Sequence, residues 1–150
     1  MAIYFRPYET SDKTALGSMI LNLYADDPSV HVMSLEKANL TIETLSRHPS
    51  KGQIIVFEQG GEVVGYAILI FYWSNERGGD VVMIDELFVR TEYRSQGVGG
   101  HFFDFLFQHY QDKATAFQLE VTPNNDRAYR FYNGLGFELA KNRFLMKHPS

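Results

Sequence analysis

The chain contains no cysteine. That absence rules out disulfides, thiolate metal ligands and a cysteine nucleophile, and it suits a reducing compartment. Positive charge is in short supply as well: fourteen Lys and Arg stand against eighteen Asp and Glu, a formal net charge of −4. No global field therefore draws the protein to nucleic acid or to an anionic membrane, and any anion site must be local. No apolar run approaches the ~20 residues that span a bilayer, and no basic segment leads into an apolar core at the amino end. The expected location is cytoplasmic, with no membrane partner. The five histidines show no pairing at three or four residues, so no metal is expected. A Gly-x-Ser-x-Gly elbow is also missing, which removes the usual signature of a serine nucleophile.

What is present reads as one packed domain over residues 1–150, because that length buries one good core and aromatics make up 15% of it. Ala2 to Pro7 alternates as a strand, and Thr10 or Ser11 can cap a helix carrying Leu16, Met19, Ile20, Leu23 and Tyr24 that stops near Asp26-Asp27-Pro28. A loop through Val30 and His31 leads to a second helix, capped by Ser34, that carries Leu35, Ala38, Leu40, Ile42 and Leu45 and ends before Pro49. Gln53 to Gln59 and Glu62 to Trp73 are β-rich runs joined by Gly60-Gly61, a hairpin signal. Val81 to Arg90 continues the meander, and Val98 to Tyr110 reads as a helix. Thr115 to Thr122 is a strand, Asn125 to Gly134 a helix, and Leu135 to Ala140 with Arg143 to Lys147 are expected as closing strands. The order β-α-α-β-β-β-α-β-α-β-β is α+β, a mixed, mostly antiparallel twisted sheet with helices on both faces.

Residues 84–100 run from an apolar strand into a basic, glycine-rich turn that opens a helix. Gly97, Gly99 and Gly100 leave main-chain N–H groups unshielded, the helix start adds its positive dipole end, and Arg94 adds formal charge: a build for phosphate. A Walker loop needs lysine and then Ser or Thr after its last glycine, whereas Gly100 and His101 follow Gly99 here. A dinucleotide fingerprint wants glycine at position 102, where Phe102 stands, although Glu120 imitates its ribose-binding acid. The antiparallel meander upstream is the wrong context for it.

Arg94-x-x-Gly97-x-Gly99 is followed downstream by Asn125-x-x-Ala128-x-x-Phe131-Tyr132-x-x-Leu135-Gly136-Phe137. With both motifs in order on the expected elements, the chain resembles the GNAT superfamily of acetyl-CoA-dependent N-acetyltransferases along essentially its whole length. The resemblance implies acetyl-CoA as cosubstrate. Its pyrophosphate would sit on the N–H groups of Ser95, Gln96, Gly97, Val98, Gly99 and Gly100 with Arg94 beside them. Its pantetheine arm would lie along Leu87, Phe88 and Val89, where in this family the neighbouring strands part with the help of a bulge. A main-chain N–H around Leu87 or Phe88 would then meet the oxyanion. Asn125 would bond the pantetheine, cap its own helix, or do both. Tyr132 falls on the family's motif tyrosine, which in many relatives protonates the leaving thiolate; a purely packing role is the alternative. Homodimers are common among relatives, so a homodimer is a further expectation.

An attacking alkylammonium must lose a proton near neutrality, and a carboxylate should help. Asp85 and Glu86 interrupt an apolar strand, an unusual place for charge. Since successive strand residues face opposite ways, at most one of the two is expected to face the acceptor. Asp85 is favoured because the Ile-Asp-Glu-Leu run is similar to that of polyamine and some aminoglycoside acetyltransferases. A salt bridge within the sheet, to Arg77 or Arg143, is the competing role, and Glu120 is a third candidate. Asp26 and Asp27 add to an acidic mouth suited to a small cationic amine. The expected function is transfer of acetyl from acetyl-CoA to such an amine by direct attack. An inactive CoA-binding sensory or interaction domain, or an enzyme acting on a protein amine, remain alternatives.

Overall fold

The computed structural model describes residues 2–26 and 32–149. The chain divides into two compact units, Met1–Leu119 and Glu120–Ser150. The first unit holds β1 (Ile3–Pro7), α1 (Lys13–Asp26), α2 (Leu35–Arg47), β2 (Gly52–Gln59), β3 (Glu62–Ser74), β4 (Gly79–Val89), α3 (Val98–Tyr110) and β5 (Ala114–Leu119); the second holds α4 (Asp126–Gly134). The five strands form one sheet in the order β1-β2-β3-β4-β5. All neighbours are antiparallel except β4 and β5, which run parallel. The β2–β3 hairpin turns on Gly60 and Gly61 at φ 59° and 81°, the left-handed pair that a tight two-residue connection requires.

Alternation along the strands distributes the side chains to two layers. Ile54, Tyr66, Ile68 and Phe88 pack under α1 and α2, against Leu16, Met19, Ile20, Ala38, Ile42 and Leu45. Phe102 of α3 is fully buried and meets Phe5 at 5.7 Å and Phe57 at 4.9 Å between ring centroids on the other face. Helices thus cover both faces, as the apolar periodicity implies. In α2, Ser34 Oγ accepts from the Lys37 N–H at 3.1 Å, which caps the helix start. Leu40 is exposed because it lies roughly 200° around the helix from Ala38.

The entry to α1 is held by charge. Asp12 is only 4% exposed, and its carboxylate accepts both Arg6 Nη1 at 2.8 Å and Nη2 at 2.9 Å, together with the Glu9 N–H at 2.9 Å. A buried carboxylate without such partners would cost several kcal/mol or stay protonated. Arg6 also reaches Glu58 Oε1 on β2, so one guanidinium ties β1, β2 and the lead into α1 together.

In the second unit, Asn125 Oδ1 accepts from the Ala128 N–H at 3.1 Å and starts α4. The Leu135 and Phe137 N–H groups return to the Tyr132 carbonyl, with Gly136 at φ 101° closing the helix. The α+β order holds through α4. The closing strands expected over 135–140 and 143–147 are not formed as strands among the described residues. Alternating apolar residues there find no ladder partner, and Leu139, Phe144, Leu145 and Met146 are exposed. An unsupported hairpin is marginal because little burial offsets its ordering entropy.

Candidate active site

β4 pairs with β3 as far as Val89, but its pairing with β5 ends at Ile84 and Leu119. From Asp85 to Val89, β4 therefore has no strand beside it on the β5 side among the described residues. The register against β3 also slips there: Ile68 faces Glu86 while Leu69 faces Ile84, so Asp85 is the extra residue of a bulge. Leu87, Phe88 and Val89 follow directly along this open edge, where the Val89 carbonyl is already taken by Arg94 Nε.

The bulge changes what the two acids do. In a regular strand Asp85 and Glu86 would face opposite ways, but an inserted residue breaks the alternation. Glu86 turns toward α1, where Tyr24 Oη donates to Oε2 at 2.7 Å and Tyr66 Oη to Oε1 at 2.8 Å. Asp85 is exposed, yet its charge acts on Glu86, Tyr24 and Tyr66 alike. Burial pushes the Glu86 carboxyl above its ordinary value, Asp85 adds to the rise, and the two phenol donors oppose it. Both phenols are pushed well up by burial and by Glu86 itself, so they stay protonated and donate. A carboxylate in this state is a proton acceptor poised nearer neutrality than a solvated one.

Past the open edge the chain turns through Arg94-Ser95-Gln96-Gly97. Ser95 and Gly97 adopt left-handed backbone at φ 63° and 81°, and α3 starts with no side chain capping it. Its first N–H groups, from Val98 to Gly100, are thereby left for a ligand. A Cβ on Gly100 would meet nothing within 4 Å, so the space beside the helix start is clear. Arg94 lies next to this turn: Nε donates to the Val89 carbonyl at 2.7 Å, the guanidinium sits 5.3 Å from the Phe88 ring centre, and Nη2 is 3.5 Å from Asp26 Oδ2. Asp26, expected at an acidic mouth, is thus partnered by the arginine expected at the phosphate. Asp27 and His31 lie outside the described residues.

The remaining candidates belong to the second unit. Tyr132 is half-buried, and burial pushes its phenol up, keeping its proton in place across the neutral range. Asn125 is the cap of α4, and Glu120 is exposed. Tyr66 was not legible as a site residue: within an apolar strand nothing marks it until the register brings it to Glu86. Among the described residues no group of three or more His, Asp or Glu is placed to hold a metal ion, and no helix is long and apolar enough to cross a membrane.

The sequence profile of the acetyltransferase (GNAT) family matches residues 18–137. The chain belongs to that family. A bovine (Bos taurus) GNAT relative, thialysine N-epsilon-acetyltransferase, is 33% identical over 79 residues, covering 52% of this chain and 46% of the relative. The chain thus spans about half the length of that curated relative. Among solved structures, a possible acetyltransferase from Clostridium difficile 630 superposes with TM-score 0.87 at 20% identity, covering all of both chains. An integron cassette protein from the Cole Harbour salt marsh metagenome follows at TM-score 0.83 and 24% identity, over 97% of this chain and 90% of its own. At such identities these two show the GNAT fold alone. Within that fold, the parted strands, the bulge and the uncapped α3 start lie consecutively on one GNAT segment, residues 84–100.

Proposed function

We propose that this protein transfers an acetyl group from acetyl-CoA to a primary amine of a small, cationic acceptor, by direct attack with both substrates bound. The observation that carries the reading is Glu86, held by Tyr24 and Tyr66 at the point where β4 and β5 part. The residues present fit the cosubstrate. The open N–H groups at Val98, Gly99 and Gly100, with Arg94 adjacent, suit a pyrophosphate, and the unpaired edge at Leu87 to Val89 suits an amide-bearing arm that bonds like a strand.

In this reading Glu86 takes a proton from the acceptor's ammonium, which frees the nitrogen lone pair. The nitrogen forms a bond to the thioester carbon while the main-chain N–H of Leu87, which the ladder turns to the open edge as it turns that of Phe88 toward β3, stabilises the oxyanion. The carbon–sulfur bond then breaks as Tyr132 gives its proton to the departing thiolate; the nitrogen releases its second proton, which restores the Tyr132 phenol, and Glu86 passes the first to solvent. Asp85 adds negative charge that favours a cationic acceptor over a neutral one. The bovine relative's name refers to the side-chain amine of an amino acid, which is an amine of the proposed class.

The test is an assay of thiol release from acetyl-CoA against a panel of small amines and of peptides. Turnover confined to small amines supports the reading. Turnover confined to peptides moves the acceptor to a protein amine, and thiol release with no amine in the panel sinks the proposal.

A further inference from the structure

Four residues of β3 point to the α1–α2 face in one row: Tyr66, Ile68, Ile70 and Tyr72. Tyr66 leans toward the level of Ile68 to reach Glu86, which faces Ile68 in the register. Tyr72 leans the other way, toward the level of Ile70. There its Oη donates to Gln118 Oε1 on β5, the residue that faces Met83, itself opposite Ile70. The bond from Tyr72 uses the Gln118 carbonyl and leaves the amide nitrogen out of it. Among the described residues that nitrogen donates to no protein group. Tyr72 is exposed and Ile70, Met83 and Gln118 are half-buried, so this part of the face is open to a small molecule.

We propose that Gln118 is a specificity residue, donating its amide N–H to a hydrogen-bond-accepting group at the far end of the amine acceptor, with Tyr72 as its positioning residue. This inference rests on the acetyltransfer reading above. Two residues along a strand and one strand across separate the Glu86 carboxylate from the Gln118 amide by about 8 Å. An acceptor that spans them carries its carboxylate or amide carbonyl on the order of six bonds from the reacting nitrogen, at an extension of roughly 1.3 Å per bond. Glu86 and Asp85 attract cations and tell little about the rest of the molecule. Gln118 offers the complementary feature, a neutral donor with no charge to attract a second ammonium. A diamine leaves that donor unused, whereas an amino acid with a side-chain amine uses it.

The test compares kcat/KM for lysine with that for cadaverine, which is lysine without its carboxylate, in the unaltered protein, in Gln118→Leu and in Tyr72→Phe. The expected result is a fall of about tenfold in the lysine-to-cadaverine ratio for Gln118→Leu, a scale set by loss of one hydrogen bond at a half-open site. It should come through KM for lysine with kcat and cadaverine kinetics unchanged. Tyr72→Phe, which frees the amide to rotate, should give a smaller fall in the same direction, and it carries the test should Gln118→Leu fail to fold. Cadaverine turned over without lysine, or a ratio unmoved by both variants, overturns this inference alone. Turnover of neither lysine, cadaverine nor any amine of the wider panel overturns the acetyltransfer reading with it.

Discussion

Tyr24 Oη donates to Glu86 Oε2 at 2.7 Å across sixty-two residues of sequence, joining the last turn of α1 to the bulged segment of β4. A helix end and a strand edge thereby share one acid, and Tyr66 holds its other oxygen.

Glu86→Gln should lower kcat by about a hundredfold to a thousandfold, the usual scale for loss of a general base. Acetyl-CoA affinity, measured by titration calorimetry, should stay as it is, because the phosphate turn is not involved. An unchanged kcat removes Glu86 from proton transfer. The substitution also removes a carboxyl whose folded value lies above the unfolded 4.5. Ionising that group costs the folded state, so the parent should lose stability as pH rises through the window above 4.5, and the Gln variant should not.

The pH profile gives a second test of the same group. Activity requires Glu86 ionised, so kcat/KM should rise with pH through a midpoint above 4.5. Tyr24→Phe deletes a donor that favours the anion, so the midpoint should move further up. A midpoint that moves down, or does not move, contradicts the coupling.

Gly100→Ala separates ligand space from fold. The new Cβ meets no protein atom within 4 Å, and alanine is the better helix former by up to about 1 kcal/mol. Thermal melting should rise slightly while acetyl-CoA binding weakens. A variant that binds acetyl-CoA as tightly as the parent would place the pyrophosphate elsewhere.

Tyr132→Phe should reduce turnover by about tenfold to a hundredfold with little change in acetyl-CoA affinity. Equal loss of affinity and turnover would assign Tyr132 to binding.

Asp12→Asn is a stability test remote from the chemistry. Arg6 holds the Asp12 carboxyl below its ordinary 3.8, so its contribution is present above that value and lost as pH falls through the lower folded one. At neutral pH the variant should unfold more easily by about 2 kcal/mol, less than for a fully orphaned buried arginine because Glu58 still pairs with Arg6. Denaturant melts at pH 7 and pH 3 measure both values.

The parts of the fold carried by local chemistry were readable from residues alone. Helix α3 follows from glycines ahead of an apolar stripe, α2 from Ser34 and its period, and the hairpin from Gly60-Gly61. Features that depend on pairing were not. Neither Tyr66 against Glu86 nor Gln118 against Tyr72 can be inferred without the register of three strands. The closing strands show the converse: their apolar alternation suggested a ladder that pairing did not supply. Charge and position make Arg94 a candidate phosphate ligand, but its reach back to Asp26 depends on where α1 ends in space.

The single added residue at Asp85 acts on β4 as a frameshift acts on a reading frame. Upstream of it Ile84 obeys one parity of inward and outward positions, and downstream Glu86 and Phe88 obey the other. A one-residue deletion there would restore a uniform strand in which Ile84 still faces Leu69 and Glu86 still faces Ile68, so the residues on either side would keep their faces. Glu86 would still point to its tyrosines and Ile84 to the opposite layer. What Asp85 adds is therefore local: the bulge, the extra twist it gives the strand, and one exposed carboxylate beside Glu86.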